Sequence, residues 1–283
     1  MQTIMVAAIV GKGLIGGSMG IALREKNLAA HIIGVEVNEE YRLLALASGL
    51  VDEMLPMNEA VIKSDLVILA VQVDVACTLV PGVLDLVEKQ VVIDVGSTKN
   101  PIIEKIKNHP KRGRFVATHP MWGTEFKGPQ AAVHGAFADK AVVICNAGHS
   151  DADALETTKM MYKGLGMHLL YMEAQEHDVH AAYVSHISHI TSFALANTVL
   201  EKEKEENAIF ELASGGFEST VRLAKSNAEM WVPVLRQNKE NVLDVLNEHI
   251  SQLRKFKSCL EKENYDYLTE LILNANKISR ILK

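Results

Sequence analysis

The stretch that decides the fold is IMVAAIVGKGLIG, from Ile4 to Gly16, in which small and branched apolar residues lead straight into three glycines. Ile4–Val10 has the composition of a buried β-strand, and a helical pattern follows from Gly16 to Lys26. The glycines between them follow the spacing GxGxxG. In such a loop the first glycine makes a tight turn, the second lets a phosphate approach the backbone, and the third lets helix and strand pack closely. The stretch therefore predicts a dinucleotide-binding loop.

An acid at the expected distance supports this interpretation. Glu36 lies twenty residues after Gly16, at the end of the next predicted strand, where a carboxylate can accept hydrogen bonds from the adenosine ribose hydroxyls. A carboxylate there would repel a 2′-phosphate, which favours NAD over NADP. The expected cofactor contacts are Gly11, Gly13, Leu14, Ile15, Gly16, Glu36 and Val71. An ordinary glycine-rich turn is the alternative, and methyltransferases carry a similar loop and acid, so this region alone does not establish redox chemistry.

The rest of the chain divides into two parts of different character. The predicted strands are Ile4–Val10, His31–Val37, Asp65–Val71, Val91–Val95, Phe115–Thr118, Ala141–Cys145 and His168–Tyr171, with helical patterns between them. Apolar strands that alternate with helices indicate a Rossmann-type α/β domain with a parallel sheet, over residues 1–172. From Glu173 onward only helical periodicity remains, with long patterns over Gln175–Leu200 and Gln237–Glu261. Residues 173–283 are therefore expected to form an all-helical domain.

Composition excludes several classes of protein. The 283 residues carry a formal net charge of −6, which argues against a general nucleic-acid binder and means that an anionic substrate would need local cations. The longest apolar runs are too short to span a bilayer, and the apolar N-terminus lacks the basic start of a signal peptide. The three cysteines, Cys77, Cys145 and Cys259, lie far apart among apolar neighbours, which favours buried thiols in a reducing compartment. We expect a cytoplasmic protein that does not bind membranes.

Two polar segments are the candidates for chemistry. Asp94–Lys99, DVGSTK, follows the strand at Val91, and Thr118–Glu125, THPMWGTE, follows the strand at Phe115. Ligands of open parallel sheets bind outside the carboxyl ends of the strands, where both segments would lie. A histidine there, His119, could accept a proton near neutral pH. On position alone, however, a histidine beside a proline is more often a loop or packing residue.

The motifs GKGLIGGSM, DVGSTK, HPMWGTE, YVSHISH and GGFESTVRLAKS occur in this order from residue 11 to residue 226. Together they closely resemble the prephenate dehydrogenase family, which includes the arogenate dehydrogenases. The resemblance implies oxidation of prephenate by NAD, with release of CO2 and formation of 4-hydroxyphenylpyruvate in tyrosine biosynthesis. It also implies a homodimer formed through the helical domain, since long helices with apolar stripes need a partner.

The same resemblance implies roles for individual residues. His119 would accept the proton of the substrate's ring hydroxyl, and Ser97 would orient that hydroxyl and the nicotinamide. Arg222 would hold a substrate carboxylate, because a guanidinium pairs with a carboxylate through two hydrogen bonds. His189 would face the substrate, and Thr124 and Glu125 would line the mouth of the site. Three positions depart from the family pattern, and they leave the detailed shape of the site open: Trp122, Ser188 and Ser219.

Alternatives to this function and to this site remain. Arogenate dehydrogenase differs by an amino group on the substrate, and a non-catalytic NAD-binding regulator would keep the fold without the chemistry. Four histidines, His177, His180, His186 and His189, resemble a metal site at first sight. On one straight helix, however, the first two would lie roughly opposite the last two, so no metal is expected. His177 is better interpreted as a structural hydrogen-bonding residue.

Overall fold

The computed structural model describes residues 5–204 and 209–281, so Ile4 of the first predicted strand lies outside the described residues. The chain forms two compact units, Met1–Asn238 and Lys239–Lys283. The first unit holds one eight-stranded sheet, with helices on both faces. Up to residue 281, the second unit consists of two α-helices and a 3₁₀ helix at Asn276–Arg280.

The sheet has a long parallel part and a short antiparallel extension. Its strands are β1 Met5–Val10, β2 Ala29–Val35, β3 Glu53–Met54, β4 Leu66–Leu69, β5 Val91–Asp94, β6 Phe115–Pro120, β7 Ala141–Cys145 and β8 His168–Met172. Their order across the sheet is β3-β2-β1-β4-β5-β6-β7-β8. All neighbours are parallel except β6 and β7, which pair antiparallel with Thr118 opposite Ile144. The predicted Rossmann-type α/β fold is confirmed, with a sheet that is mostly rather than wholly parallel.

The strand order reverses between β1 and β4, and ligands of doubly wound sheets bind at such a switch point. β4 is buried on both faces, as its uninterrupted apolar sequence predicts. Alternate strand residues contribute to two apolar clusters. The first-face cluster contains Ile9 and Ile68, and the second-face cluster contains Val10 and Leu69. Together the clusters fix the carboxyl ends of β1 and β4 at one edge.

The helices of the first unit connect and cover these strands. They are α1 Leu14–Glu25, α2 Glu39–Ala47, α3 Met57–Lys63, α4 Val73–Leu86, α5 Asn100–Ile106, α6 Ala152–Gly164, α7 Ala174–Ala181, α8 Ile187–Glu203, α9 Gly215–Val221 and α10 Ala228–Gln237. The first-face cluster contains residues of α1 and α6, and the second-face cluster contains residues of α3, α4 and α5. The short strand β3 and the helix α3 are elements that the sequence patterns did not predict.

After β8 the described chain is helical, as expected. The pattern over Gln175–Leu200 corresponds to α7 and α8, joined by a π-helical turn at Ala182–His186. The pattern over Gln237–Glu261 corresponds to α11, Lys239–Glu261, and α12 covers Tyr265–Ala275. Within the part of the chain that the structure describes, no helix combines the length and apolar character that a membrane crossing requires.

Candidate active site

The glycine loop has the backbone shape of a phosphate-binding turn. Gly11 has a φ of +91°, which favours glycine, and an added Cβ would lie 2.5 Å from the Ala70 carbonyl oxygen. A Cβ on Gly16 would overlap the Gly11 carbonyl oxygen, so α1 reaches the loop only with glycine there. Gly13 precedes the first residue of α1 and has open space where its Cβ would be. A phosphate group can therefore approach the N–H groups of the first turn of α1.

Glu36 follows β2 directly, and backbone groups hold its carboxylate. Its Oε2 accepts a hydrogen bond from the N–H of Lys12 at 2.8 Å, and its Oε1 accepts from Val37 and Asn38 at 2.8 and 2.9 Å. A carboxylate has about four acceptor sites, so ribose hydroxyls can still donate to it. Val37 is 98% exposed and leaves an apolar surface beside the acid. These groups fit a dinucleotide with free ribose hydroxyls.

The other three expected cofactor contacts lie at the same edge. Leu14 and Ile15 form the first turn of α1, and Val71 follows β4. Ile15 packs against the first-face cluster and Val71 against the second-face cluster. A role of these residues in cofactor binding stays a prediction.

Lys12, inside the glycine loop, has an unusual environment. Its side chain is fully buried, and its Nζ has no hydrogen-bond partner among the described residues. A Cβ on Gly34 would lie 2.9 Å from the Lys12 Cε, so the glycine in β2 makes room for the lysine. Burial lowers the pKa of Lys12 to about 7, although the nearby charge of Glu36 opposes that shift.

His119 lies within β6, opposite Val143 of β7, and not in the loop after the strand. This corrects the expectation that the motif begins beyond the strand end, and it means that the sheet fixes the His119 backbone. Its side chain is partly exposed. Its Nδ1 lies 2.9 Å from the Nε2 of His177, and the two rings meet edge to face. Within the described residues, Nε2 of His119 is left free for a ligand.

His177 is in turn paired with its neighbour Asp178 on α7. The His177 Nδ1 lies 2.8 Å from the Asp178 Oδ1, and both side chains are buried. The Asp178 Oδ1 also accepts a hydrogen bond from the N–H of Lys99, and its Oδ2 accepts one from the N–H of Asn100. The segment that carries Ser97 is thus bonded to the same carboxylate that contacts His177.

A second buried ion pair supports the ends of β5 and β6. The Lys99 ammonium group pairs with the Asp94 carboxylate and donates to the Thr118 carbonyl oxygen at 2.7 Å. The Thr118 hydroxyl contacts the Tyr162 hydroxyl at 2.6 Å. Burial raises the pKa of Tyr162, so its hydroxyl stays protonated. Ser97 lies in the chain between the two residues of this pair, Asp94 and Lys99. Its side chain is partly exposed, and no described residue forms a hydrogen bond with its hydroxyl.

Two histidines of this region, His119 and His186, stay neutral near pH 7. Desolvation of its ring, and then nearby basic groups that include the Lys99 ammonium, hold the pKa of His119 well below its usual value. Burial also lowers the pKa of His186 to about 4. A neutral His119 presents one bare ring nitrogen, which is the state that a proton acceptor needs.

The expected substrate residues occupy two places in the first unit. His189 on α8 stacks on Trp231 of α10, with ring centroids 3.5 Å apart. Arg222 begins a 3₁₀ turn after α9, and its Nη1 lies 3.1 Å from the Glu125 Oε2. A hydrogen bond from its own backbone, and then the Arg222 charge, lower the pKa of Glu125. Thr124 is half-buried beside Glu125, and its hydroxyl accepts from the N–H of Phe126 at 3.3 Å.

The three residues that depart from the family pattern differ in burial and in their contacts. Trp122 packs against the first-face cluster and meets the Phe137 ring edge to face at 5.5 Å. The Ser188 and Ser219 hydroxyls are exposed and bond to the carbonyl oxygens of Val184 and Gly216. Among the described residues no group of three or more His, Cys, Asp or Glu side chains is arranged to hold a metal ion.

Sequence reasoning missed the link from His119 to Asp178. His177 was expected to form structural hydrogen bonds, but its partners were not identified, because 58 residues separate it from His119. The four histidines also do not divide as a straight helix predicts. A π-helical turn at Ala182–His186 interrupts the straight helix on which that division was based, and the Asn238 Nδ2 contacts both the Asp178 carbonyl oxygen and the His186 Nδ1. His180 is exposed. The feature of the sequence that could have indicated this link is that a histidine, His177, is followed directly by an acid, Asp178.

Comparisons with known proteins identify the family. Residues 19–171 match the nucleotide-binding domain of prephenate dehydrogenase, and residues 173–274 match its dimerization domain. The chain belongs to the prephenate dehydrogenase family. It is 30% identical to a prephenate dehydrogenase of Bacillus subtilis over 94% of this chain and 72% of that protein. It is 28% identical to a cyclohexadienyl dehydrogenase of Zymomonas mobilis over 98% of this chain and 95% of that protein.

A solved structure of a prephenate dehydrogenase also matches this chain over nearly its whole length. The prephenate dehydrogenase of Aquifex aeolicus, in complex with hydroxyphenyl propionate and NAD+, has a TM-score of 0.87 and 28% identity, covering 99% of this chain and 98% of that one. The expectation of an NAD-dependent oxidoreductase of the prephenate dehydrogenase family is therefore confirmed.

Proposed function

We propose that this protein oxidises prephenate to 4-hydroxyphenylpyruvate with NAD as the hydride acceptor, as a homodimer in the cytoplasm. The observation that carries the proposal is His119 with a free Nε2 at the sheet edge that also carries the glycine loop and Ser97. In this proposal residues 1–172 bind the dinucleotide, and residues 173–283 complete the substrate site and form the dimer.

The chain's own residues would bind, orient and hold one proton. The glycine loop and Glu36 would hold NAD, which would supply the hydride acceptor for the ring carbon that carries the hydroxyl group. His119 Nε2 accepts the hydroxyl proton as that hydride leaves, and Ser97 donates a hydrogen bond that orients the hydroxyl. Arg222 binds a substrate carboxylate, and His189 and Thr124 line the site. The ring carboxylate departs as CO2 and leaves its electron pair to the ring, which becomes aromatic.

The atoms and charges balance in this scheme. The prephenate dianion and NAD+ give the monoanion of 4-hydroxyphenylpyruvate, CO2 and NADH, with no net proton. The proton that His119 accepts therefore returns to the ring oxygen of the product. Because aromatisation makes the reaction downhill, the protein mainly has to position the groups and handle this proton.

One observation favours arogenate as a second candidate substrate. Arg222 and Glu125 place a guanidinium and a carboxylate 3.1 Å apart. The side chain of arogenate carries a carboxylate and an ammonium group, and this pair could bind both charges. With prephenate, Glu125 has no positive group to meet and competes with the substrate for Arg222.

The test is NADH formation by the purified protein, with prephenate and arogenate, and with NAD and NADP in parallel. We expect the highest kcat/KM for prephenate with NAD. A higher kcat/KM for arogenate would make arogenate the substrate, and no turnover of either compound would favour a non-catalytic NAD-binding regulator.

His119→Asn should lower kcat by roughly 10²–10⁴ while NAD affinity stays nearly unchanged. His180→Asn, at an exposed histidine of α7, is the control.

A further inference from the structure

We infer that Asp178, acting through His177, fixes His119 in the tautomer whose Nε2 is bare. The inference rests on the proposed function for the role of His119, but the tautomer itself is a property of the chain alone. Asp178 and His177 are then positioning residues. The proton acceptor, the partly exposed His119, is the last member of a row of three side chains whose other two members, His177 and Asp178, are buried.

The donor and the acceptor of each hydrogen bond in this row can be assigned, because Asp178, as a carboxylate, can accept hydrogen bonds but cannot donate them. Its Oδ1 and Oδ2 accept from the N–H groups of Lys99 and Asn100 at 2.8 and 2.9 Å. The His177 Nδ1, 2.8 Å from the same Oδ1, must therefore carry the hydrogen of that bond. In the neutral form of His177 with its hydrogen on Nδ1, Nε2 is the acceptor nitrogen.

The same reasoning applies one step further along the row. The Nδ1 of His119 lies 2.9 Å from the His177 Nε2, and a bond to an acceptor requires the hydrogen on His119. A neutral His119 then has no hydrogen on Nε2. This is the nitrogen that the described residues leave free, and in this state it can accept a proton from the substrate hydroxyl.

The negative charge of Asp178 is a second reason to assign it a role in proton transfer to His119. His119 becomes a cation when it accepts the proton, in a place where desolvation and the positive charge of Lys99 disfavour that cation. The negative charge of Asp178, aligned through His177, compensates in part because the dielectric constant of the interior is low. The Lys99 ammonium cannot take over the carboxylate of Asp178, since it is paired with Asp94.

The carboxylate of Asp178 is itself held rigidly. In addition to the two backbone bonds, the Asn238 Nδ2 binds the Asp178 carbonyl oxygen at 2.6 Å. Asp178 and His177 are both buried, at 2% exposure, so water does not compete for these bonds. Because the N–H of Lys99 also binds Asp178, the same carboxylate fixes the segment of Ser97 relative to His119.

The experiment measures both the tautomer of His119 and the kcat of the enzyme in the same set of variants. Asp178→Asn puts an amide where two oxygens accept backbone N–H groups. With its NH2 group at the Oδ2 position the bond from Asn100 is lost, and with its NH2 group at the Oδ1 position the bond from Lys99 is lost and His177 can no longer donate. If the amide N–H turns to His177, both imidazoles reverse and His119 carries its hydrogen on Nε2. His177→Leu cuts the row but leaves both backbone bonds of Asp178 in place. Glu176→Gln and His180→Gln change exposed residues of the same helix and are the matched controls.

We expect ¹⁵N spectra of histidine-labelled wild type near pH 7 to show His119 neutral with its hydrogen on Nδ1, the His119→Asn spectrum identifying its signals. In Asp178→Asn and His177→Leu the hydrogen should move wholly or partly to Nε2. Both variants should lower kcat by roughly 10²–10⁴ with little change in KM or in NAD affinity. The controls should behave as wild type in both measurements.

Two results would overturn the inference. One is a wild-type His119 with its hydrogen on Nε2. The other is a kcat and a tautomer that stay unchanged in His177→Leu, which keeps the Asp178 backbone bonds and so tests the row even if Asp178→Asn does not fold. Failure of the proposed function looks different: the wild type then oxidises neither prephenate nor arogenate, whatever its tautomer.

Discussion

At the scale of single residues, Lys12 has a buried amine that lacks a hydrogen-bond partner among the described residues. Its pKa is about 7 in the folded protein, against an ordinary value of 10.5. Between these two values the unfolded chain binds more protons than the folded one, so the stability that depends on Lys12 rises with pH across this window. Below about pH 7 both states are protonated, and the unfavourable contribution is constant and largest.

Lys12→Met should therefore stabilise the protein at pH 7. One pKa unit corresponds to about 1.4 kcal/mol, so the gain is at most roughly 5 kcal/mol, and it should shrink as the pH approaches 10.5. The measurement is urea unfolding of both proteins over a range of pH. Lys26→Met, at an exposed lysine beside α1, should leave the pH dependence of stability as in wild type. A stability difference that does not vary with pH would contradict the assignment.

At the scale of elements, the Glu125–Arg222 pair joins the segment after β6 to the 3₁₀ turn after α9. Arg222→Gln should raise the KM for prephenate roughly ten- to a hundredfold with little change in kcat, because a hydrogen bond to a charged group contributes about 1.5–3 kcal/mol. Glu125→Gln should not raise this KM, since it removes a competitor for Arg222. Steady-state kinetics check both, with the exposed Arg236→Gln as control. An unchanged KM in Arg222→Gln would refute the carboxylate role.

A π-helical turn lies between His177 and His189 in the chain. Ala182–His186 interrupts what would otherwise be one helix from α7 to α8. His186, the last residue of the turn, contacts Asn238, and His189, beyond the turn, stacks on Trp231. Such turns are often found at functional sites. Apolar periodicity cannot show the turn, because one extra residue hardly changes a hydrophobic pattern.

At the scale of the whole molecule, the helices of the second unit carry exposed apolar side chains. On α11 these are Leu243, Leu253 and Leu260, and on α12 they include Ile272 and Leu273. Exposed apolar surface of this kind marks an interface. We expect sedimentation to give a species of about twice the 31.1 kDa chain mass.

A charged variant tests this assembly. The double variant Leu253→Lys and Leu260→Lys should shift the protein toward monomer, because burying two ammonium groups without partners is costly. Gln252→Lys adds a charge at an exposed polar position of the same helix and should leave the mass unchanged. A wild type that sediments only at about 31 kDa would rule out the homodimer.

The sequence by itself determined the fold class, the dinucleotide loop and the family. These depend on local patterns: glycine spacing from Gly11 to Gly16, apolar strands such as Leu66–Leu69, and motifs that keep their residue order. Only the tertiary structure decided the burial of Lys12, the antiparallel pairing of β6 with β7 and the row from His119 to Asp178. The physical reason is that a hydrogen bond or a burial depends on side chains brought together from distant parts of the chain, and a one-dimensional pattern does not record which of them meet.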